Sequence, residues 1–498
     1  MNPSPDTRTV EEPAPGGTDG SPGEGHRFAM TIGGESVRGA EARGVVNPAS
    51  GTEFAEVPEC SRSELDAAMA AAQEAFPTWS RNVDSRREAL LACAQRVKES
   101  VDRLAPYLTR EQGKPLEKAS GEIIGASVWL KYTAGLEIPV EVVQDDEKFR
   151  AEIHRKPLGV VAAITPWNYP LLLAMWKLAP ALLAGNTVVL KPSPYTPVTS
   201  LLLGDLLRDI LPPGVLNVVS GGDELGSWMT RHPVPRKISF TGSVATGKKV
   251  ALAAAPDLKR VTLELGGNDA AILLPDLDAA EVADKIFWGA FENTGQVCNA
   301  IKRVYVPASQ YASFVNRIAE VANNTKVGDG LEEGTQLGPL SNEAQLERVA
   351  ELVERARRSG ATIVTGGERL SDRGYFYAPT VVSDISDDEP LVAEEQFGPA
   401  LPVLPYGDVD EAVARANATR YGLSGSVWSS DPERGAEVAG RLECGTAWVN
   451  QHIAVRPNLP ISGAKWSGIG VENGPWGLLD FTEIQTVSIS KRSFPGRG

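Results

Sequence analysis

The sequence predicts an α/β protein built on parallel sheets. Two stretches carry that expectation. From about Gly159, short β-branched runs alternate with helix-length segments, and a second alternating block runs from near Asn268 to about Gly463. Strand–helix alternation of this kind argues for parallel sheets covered on both faces. Such sheets take ligands at the carboxyl ends of their strands. The chain has 498 residues, of which 42% are hydrophobic, enough for two or three domains with packed cores.

In chain order, Met1–Gly25 is rich in Pro, Gly, Ser and acidic residues and has no apolar signal-peptide core. A disordered tail is expected over residues 1–28, and a reducing cytoplasm as the setting. Thr31–Ser50 reads as strand and turn. Ser61 or Ser63 can cap a helix with Leu65, Met69, Ala72 and Phe76 on one face. A second helix is expected to carry Leu90, Cys93, Val97, Val101 and Leu104 on its apolar face, which makes Cys93 a core residue. Ile138–Arg155 reads as a polar β-hairpin.

The first alternating block gives strands Gly159–Ile164, Thr187–Leu190, Val215–Val219 and Lys237–Phe240. Helices fill the gaps near 170–184, 197–210, 222–231 and 244–254. Leu171–Leu190 is apolar enough to suggest a membrane span, but Lys177, Pro180, Gly185 and Asn186 interrupt it. A buried helix, a turn and a strand are expected there. The second block gives strands Ala270–Leu274, Arg303–Val306, Ala361–Val364, Val403–Leu404 and Gly445–Asn450. Thr482–Ser490 alternates like an exposed strand, and unpaired edges are normally covered. This strand and the hairpin are therefore expected to pair across a subunit interface.

Composition narrows the function classes. A formal charge of −15 is no nucleic-acid footprint and disfavours anionic lipid. Four cysteines (Cys60, Cys93, Cys298, Cys444) and four histidines (His26, His154, His232, His452) are scattered without pairing. That argues against a disulfide framework and against a metal centre.

Four local constellations carry chemistry. Thr165-Pro166-Trp167-Asn168-Tyr169-Pro170 follows an apolar strand, where Asn168 is either a turn residue or an N–H donor to a developing oxyanion. Lys191-Pro192-Ser193-Pro194, then Gly242-Ser243-Val244-Ala245-Thr246-Gly247, are ordinary βα turns or a phosphate approach at a helix N-terminus. Glu264, in Leu263-Glu264-Leu265-Gly266-Gly267, is a strand-end carboxylate or a desolvated general base. Cys298, in Gly295-Gln296-Val297-Cys298-Asn299, is a buried thiol or a nucleophile.

Taken in order, Asn168, Lys191, the 242–247 turn, Glu264, Cys298 and Glu394-Glu395-Gln396-Phe397-Gly398-Pro399 resemble the aldehyde dehydrogenase superfamily over roughly residues 30–490. The joint pattern is specific although each member alone is not. The resemblance implies a Rossmann-like cofactor domain over 29–137 and 156–266 and an α/β catalytic domain over 267–466. It adds a β oligomerisation arm with the C-terminal segment over 138–155 and 467–498, and a homodimer or homotetramer.

It further implies that Cys298 attacks an aldehyde, that Asn168 and the Cys298 backbone N–H hold the oxyanion, and that Glu264 activates water. Lys177 and Glu472 are implied as a proton relay. NAD or NADP is the implied cofactor, gripped by Ile164, Thr165, Trp167, Lys191, Ser193, Gly242, Ser243, Gly247 and Leu265, with Gly221 near the adenine and Glu395 and Phe397 at the nicotinamide end. The aldehyde tunnel is implied at Tyr169, Trp176, Glu292, Val455 and Ile461. Pro194 stands where many NAD-preferring relatives carry a glutamate, which opens the possibility of NADP. Glu292 stands where an aromatic residue is frequent, and suits either a cationic amino-aldehyde or solvent. A CoA-acylating reaction is the competing expectation, disfavoured by Glu264, because a CoA thiolate needs no base.

Overall fold

The computed structural model describes residues 28–492; the tail expected over 1–28 lies almost wholly outside them. Four sheets organise the described residues. The largest has eight strands. Its parallel core runs Arg260–Glu264, Lys237–Thr241, Val160–Ile164, Thr187–Lys191 and Leu216–Val218. The chain enters at Val160–Ile164, winds outward through Thr187–Lys191 to Leu216–Val218, then returns to Lys237–Thr241 on the other side. This reversal leaves a crevice at the carboxyl ends of Val160–Ile164 and Lys237–Thr241. Antiparallel strands close both edges: Gly468–Ile469 on one, Met30–Ile32 and Glu35–Val37 on the other.

A second sheet of seven strands is parallel from Thr380–Ser383 to Thr446–Val449, with Thr362–Thr365 antiparallel at its edge. Its strands Thr380–Ser383 and Ser424–Trp428 were not expected from the sequence. The latter, SGSVW, is poor in β-branched residues, and its serines are buried by their neighbours.

Leu171–Leu190 is indeed helix Pro170–Ala184, a left-handed turn at Gly185 and strand Thr187–Lys191. No helix among the described residues is long and apolar enough to cross a membrane. Ser61 caps helix Arg62–Trp79 in a reciprocal capping box with Glu64.

The second expected helix is two helices. Val83–Glu99 ends at Ser100, and Val101 and Leu104 begin Val101–Gln112. One apolar face continues across the break, which is why the stripe concealed it. Helix Leu116–Ala134 was not expected either. Ile123, Ala126 and Leu130 are its buried stripe, but Gly121, Gly125 and the buried Glu122 obscure the pattern.

The hairpin and the last strand form their own sheet. Phe149–Pro157 is central, with Glu141–Asp145 on one side and Thr482–Ser490 on the other, both antiparallel. The partners expected from a second subunit are thus found within one chain for these strands. Only the outer edges of Glu141–Asp145 and Thr482–Ser490 are left for anything else.

Candidate active site

The loop bearing Cys298 is bent sharply. Asn293, Thr294 and Gly295 all take positive φ, at 51°, 58° and 74°. A side chain on Gly295 would place its Cβ 2.3 Å from the Gly398 carbonyl, so glycine is required. On the other side, a Cβ on Gly267 would lie 2.7 Å from the Cys298 carbonyl. Gly267 thus lets the loop after Glu264 close on Cys298, and Gly295 lets the Cys298 loop close on Gly398. Backbone strain of this kind collects where a reactive group must be presented.

Cys298 looks into a cavity of about 750 Å³ that Asn168, Glu264, Leu265 and Glu472 also line. The Asn168 side-chain amide donates one N–H to the Gln296 carbonyl at 2.9 Å, and its second N–H is left for a ligand. The Asn168 carbonyl is fixed by Lys114 Nζ at 2.9 Å and Asn293 Nδ2 at 3.1 Å. Lys114 pairs with Glu122, whose other oxygen accepts the N–H groups of Leu171 and Leu172 at the start of helix Pro170–Ala184. Neither Lys114 nor Glu122 was singled out in the sequence, since each reads alone as an ordinary surface charge.

Glu264, Lys177 and Glu472 are buried. Burial, reinforced by the negative charge of Glu472 and opposed by Lys177, holds the Glu264 carboxyl well above the usual carboxylate range. Lys177 Nζ donates to Glu472 Oε1 at 2.7 Å, to Thr241 Oγ1 at 2.7 Å and to Ser239 Oγ at 3.2 Å. Lys177 and Glu472 thus form a buried polar chain, into which the structure also draws Thr241 and Ser239. Burial pushes the Cys298 thiol up to about 12, against the pull of Lys302. Asn168 Oδ1, Glu264 Oε1, Glu472 Oε2 and Thr165 Oγ1 are buried without a hydrogen-bond partner. Such groups are costly unless water or ligand meets them.

All five expected tunnel residues line the cavity. Trp129, Leu172, Leu173 and Trp288 line it too and were missed, Trp129 because its helix was missed. Trp129 stacks on Trp176 with centroids 5.9 Å apart. Glu292 is at the wall but is not a free anion: Lys118 Nζ lies 3.0 Å from its carboxylate.

Of the residues expected to grip a dinucleotide, Leu265 lines this cavity and the others lie outside its lining. Ile164 and Lys191 are register partners at adjacent strand ends. Lys191 is buried, and its ammonium has one acceptor, the Pro192 carbonyl at 3.2 Å; burial lowers it to about 8. Ser193 Oγ accepts the Tyr195 N–H in the turn that follows. Ser243 caps helix Val244–Ala254, and the Leu265 side chain packs into the space left by Gly247. Gly242 follows Thr241 at the end of strand Lys237–Thr241, its N–H bonded to the Glu264 carbonyl. Gly221 and Gly222 lead into helix Asp223–Arg231, with Glu59 Oε1 accepting the Gly222 N–H. The Trp167 and Phe397 rings meet edge to face at 5.3 Å. The buried Glu395 carboxylate accepts the Gly267 N–H at 3.1 Å. An under-satisfied buried cation, an orphaned Thr165 hydroxyl and a capped helix N-terminus fit a polyanionic dinucleotide.

Cys298, Asn168 and Glu264 thus share one cavity next to a doubly wound sheet. The sequence profile of the Aldehyde dehydrogenase family matches residues 37–487. Retinaldehyde dehydrogenase 3 of Homo sapiens is 39% identical, covering 89% of this chain and 88% of its own. The chloroplastic betaine aldehyde dehydrogenase of Beta vulgaris is 38% identical over 89% and 92%. An NAD+ complex of aldehyde dehydrogenase from Bacillus cereus superposes with a TM-score of 0.92 at 36% identity, covering 94% of this chain and 97% of that one. The chain belongs to the aldehyde dehydrogenase family of NAD(P)-dependent oxidoreductases.

Proposed function

We propose that this enzyme oxidises a neutral, largely apolar aldehyde to its carboxylic acid through a thioester on Cys298. The observation that carries the covalent route is the convergence of Cys298, Asn168 and Glu264 on one cavity. The sulfur gives up its proton and bonds the aldehyde carbon. The resulting oxyanion is held by the free Asn168 N–H and the Cys298 backbone N–H. When bound, NAD(P)+ supplies the acceptor for the hydride that the thiohemiacetal carbon loses. Thr165, Lys191, Ser243 and the 242–247 turn are the residues that would hold its adenosine and pyrophosphate, and Trp167, Glu395 and Phe397 its nicotinamide end. Glu264 then takes a proton from water, the water oxygen attacks the thioester carbonyl, and the Cys298 thiolate leaves. Glu472 and Lys177 pass the proton onward.

The names of the relatives point to both a neutral and a cationic aldehyde, so identity does not choose the substrate. The cavity favours the neutral one. Its wall includes Trp129, Trp176, Trp288, Tyr169, Leu173 and Ile461, and its two outer carboxylates are both paired, Glu292 with Lys118 and Asp284 with Arg317. For the cofactor, Pro194 offers no carboxylate to repel a 2′-phosphate, while near Gly222 the charge of Arg43 is paired with Glu59 at 2.9 Å. NADP+ is therefore expected to be accepted alongside NAD+; no turnover with NADP+ would count against this.

The test is absorbance at 340 nm with a panel of neutral and amino-aldehydes, each with NAD+ and NADP+. The expected result is turnover led by bulky neutral aldehydes and absent from Cys298→Ala. Turnover surviving that substitution would reject the covalent route. A preference for amino-aldehydes lost in Glu292→Gln would reject the substrate assignment.

A further inference from the structure

Strand Ile301–Pro307 begins three residues after Cys298, and its second residue, Lys302, is 1% exposed. A buried ammonium needs acceptors to offset its lost hydration. Among the described residues Lys302 has no carboxylate in ion-pair contact. Its Nζ donates instead to the Val297 carbonyl at 2.5 Å and to the Ala300 carbonyl at 3.4 Å. These carbonyls bracket Cys298 in the chain, so one side chain ties both ends of the turn that presents the sulfur. The Lys302 carbonyl is fixed in turn by Gln396 Nε2 at 3.0 Å, and the Phe397 ring lies 5.6 Å from the ammonium.

The charged groups acting on the sulfur are Lys302, Glu395, Asp269 and Glu264. Three are carboxyls and would disfavour a thiolate; Lys302 is the cation of the set. Without it, the charged groups around the half-buried thiol would all oppose its ionisation.

We propose that Lys302 is a positioning residue that clamps the Cys298 turn through its flanking carbonyls and supplies the positive charge favouring thiolate over thiol. This rests on the reading of Cys298 as the nucleophile. Burial lowers the Lys302 ammonium from its usual range while the charges of Glu395 and Asp269 hold it up, and the sulfur's proton goes to solvent in the free enzyme. The clamp also fixes the direction of the Cys298 N–H, on which the oxyanion depends.

The test is the pH dependence of iodoacetamide alkylation of Cys298 in the full-length protein, read from the mass of the peptide that carries it. Lys302→Gln keeps donors for the carbonyls but removes the charge; Lys302→Arg keeps the charge. The expected result is slower alkylation of Lys302→Gln than of wild type at each pH below the thiol's inflection. Alkylation near neutral pH should slow by about tenfold for an inflection one pH unit higher. Lys302→Arg should recover most of the wild-type rate. Circular dichroism melts verify each fold, and Lys302→Met replaces Lys302→Gln should the latter not fold. A charge-free variant whose profile superimposes on wild type overturns the proposal. So does an arginine variant as slow as the glutamine one, since packing alone would then explain the loss. The alkylation needs no turnover, so failure of the nucleophile reading, seen as activity in Cys298→Ala, is separately visible.

Discussion

At the scale of single residues, the site depends on charges held away from water. Glu264 is protonated at low pH and becomes a base only above its raised pKa, so kcat should climb with pH along a limb owned by this group. Glu264→Gln should remove that limb and lower kcat by about 10²–10⁴-fold, while the first equivalent of reduced cofactor still forms in a burst. Stopped-flow absorbance checks both. Lys177 pulls the Glu264 pKa down, so Lys177→Met should move the limb to higher pH; a move to lower pH would contradict the buried relay. Cys298, Glu264 and Asn168 were legible in the sequence because their order and surroundings form a joint pattern. Lys302 and Lys114 were not. Nothing local marks a lysine as buried, and only the fold brings each to the carbonyls that hold it.

Among the elements, helix Pro170–Ala184 connects the proposed oxyanion donor, relay and tunnel, since Asn168 lies just before it and Trp176 and Lys177 lie on it. Its first turn is anchored by Glu122 from helix Leu116–Ala134, with Lys114 as counter-ion. Removing one partner of a buried pair strands the other charge, at a cost of about 3–5 kcal/mol. Lys114→Met should therefore lower the thermal midpoint and slow turnover together, as calorimetry and steady-state rates would show. An unchanged midpoint would mean that the pair contributes little. The strands and helices of the first alternating block were readable to within a few residues because each apolar run is short and bounded by Gly, Pro or Asn. The break at Ser100 and helix Leu116–Ala134 were not. One apolar face carries straight across the first, and the second hides its stripe among glycines and a buried acid.

For the whole molecule, the strand ends of one sheet and the turn before strand Ile301–Pro307 of the other border one cavity, into which the proposed nucleophile Cys298 opens. The third sheet leaves its outer strands bare: Val142, Val143, Ile484 and Ile489 are exposed. Apolar edges of this kind call for cover. A second copy of this chain is the expected cover, and light scattering should give a multiple of 53.1 kDa. Ile484→Lys with Ile489→Lys should then shift the mass downward; a monodisperse wild-type monomer would contradict the assembly. The central claim, a thioester on Cys298 cleared by Glu264-activated water, is tested most directly by mixing Glu264→Gln enzyme with a bulky neutral aldehyde and NAD(P)+, quenching in acid, and weighing the peptides. The account requires the acyl group on the Cys298 peptide and on no other. Stoichiometric acid release with Cys298 unmodified at every quench time would contradict it.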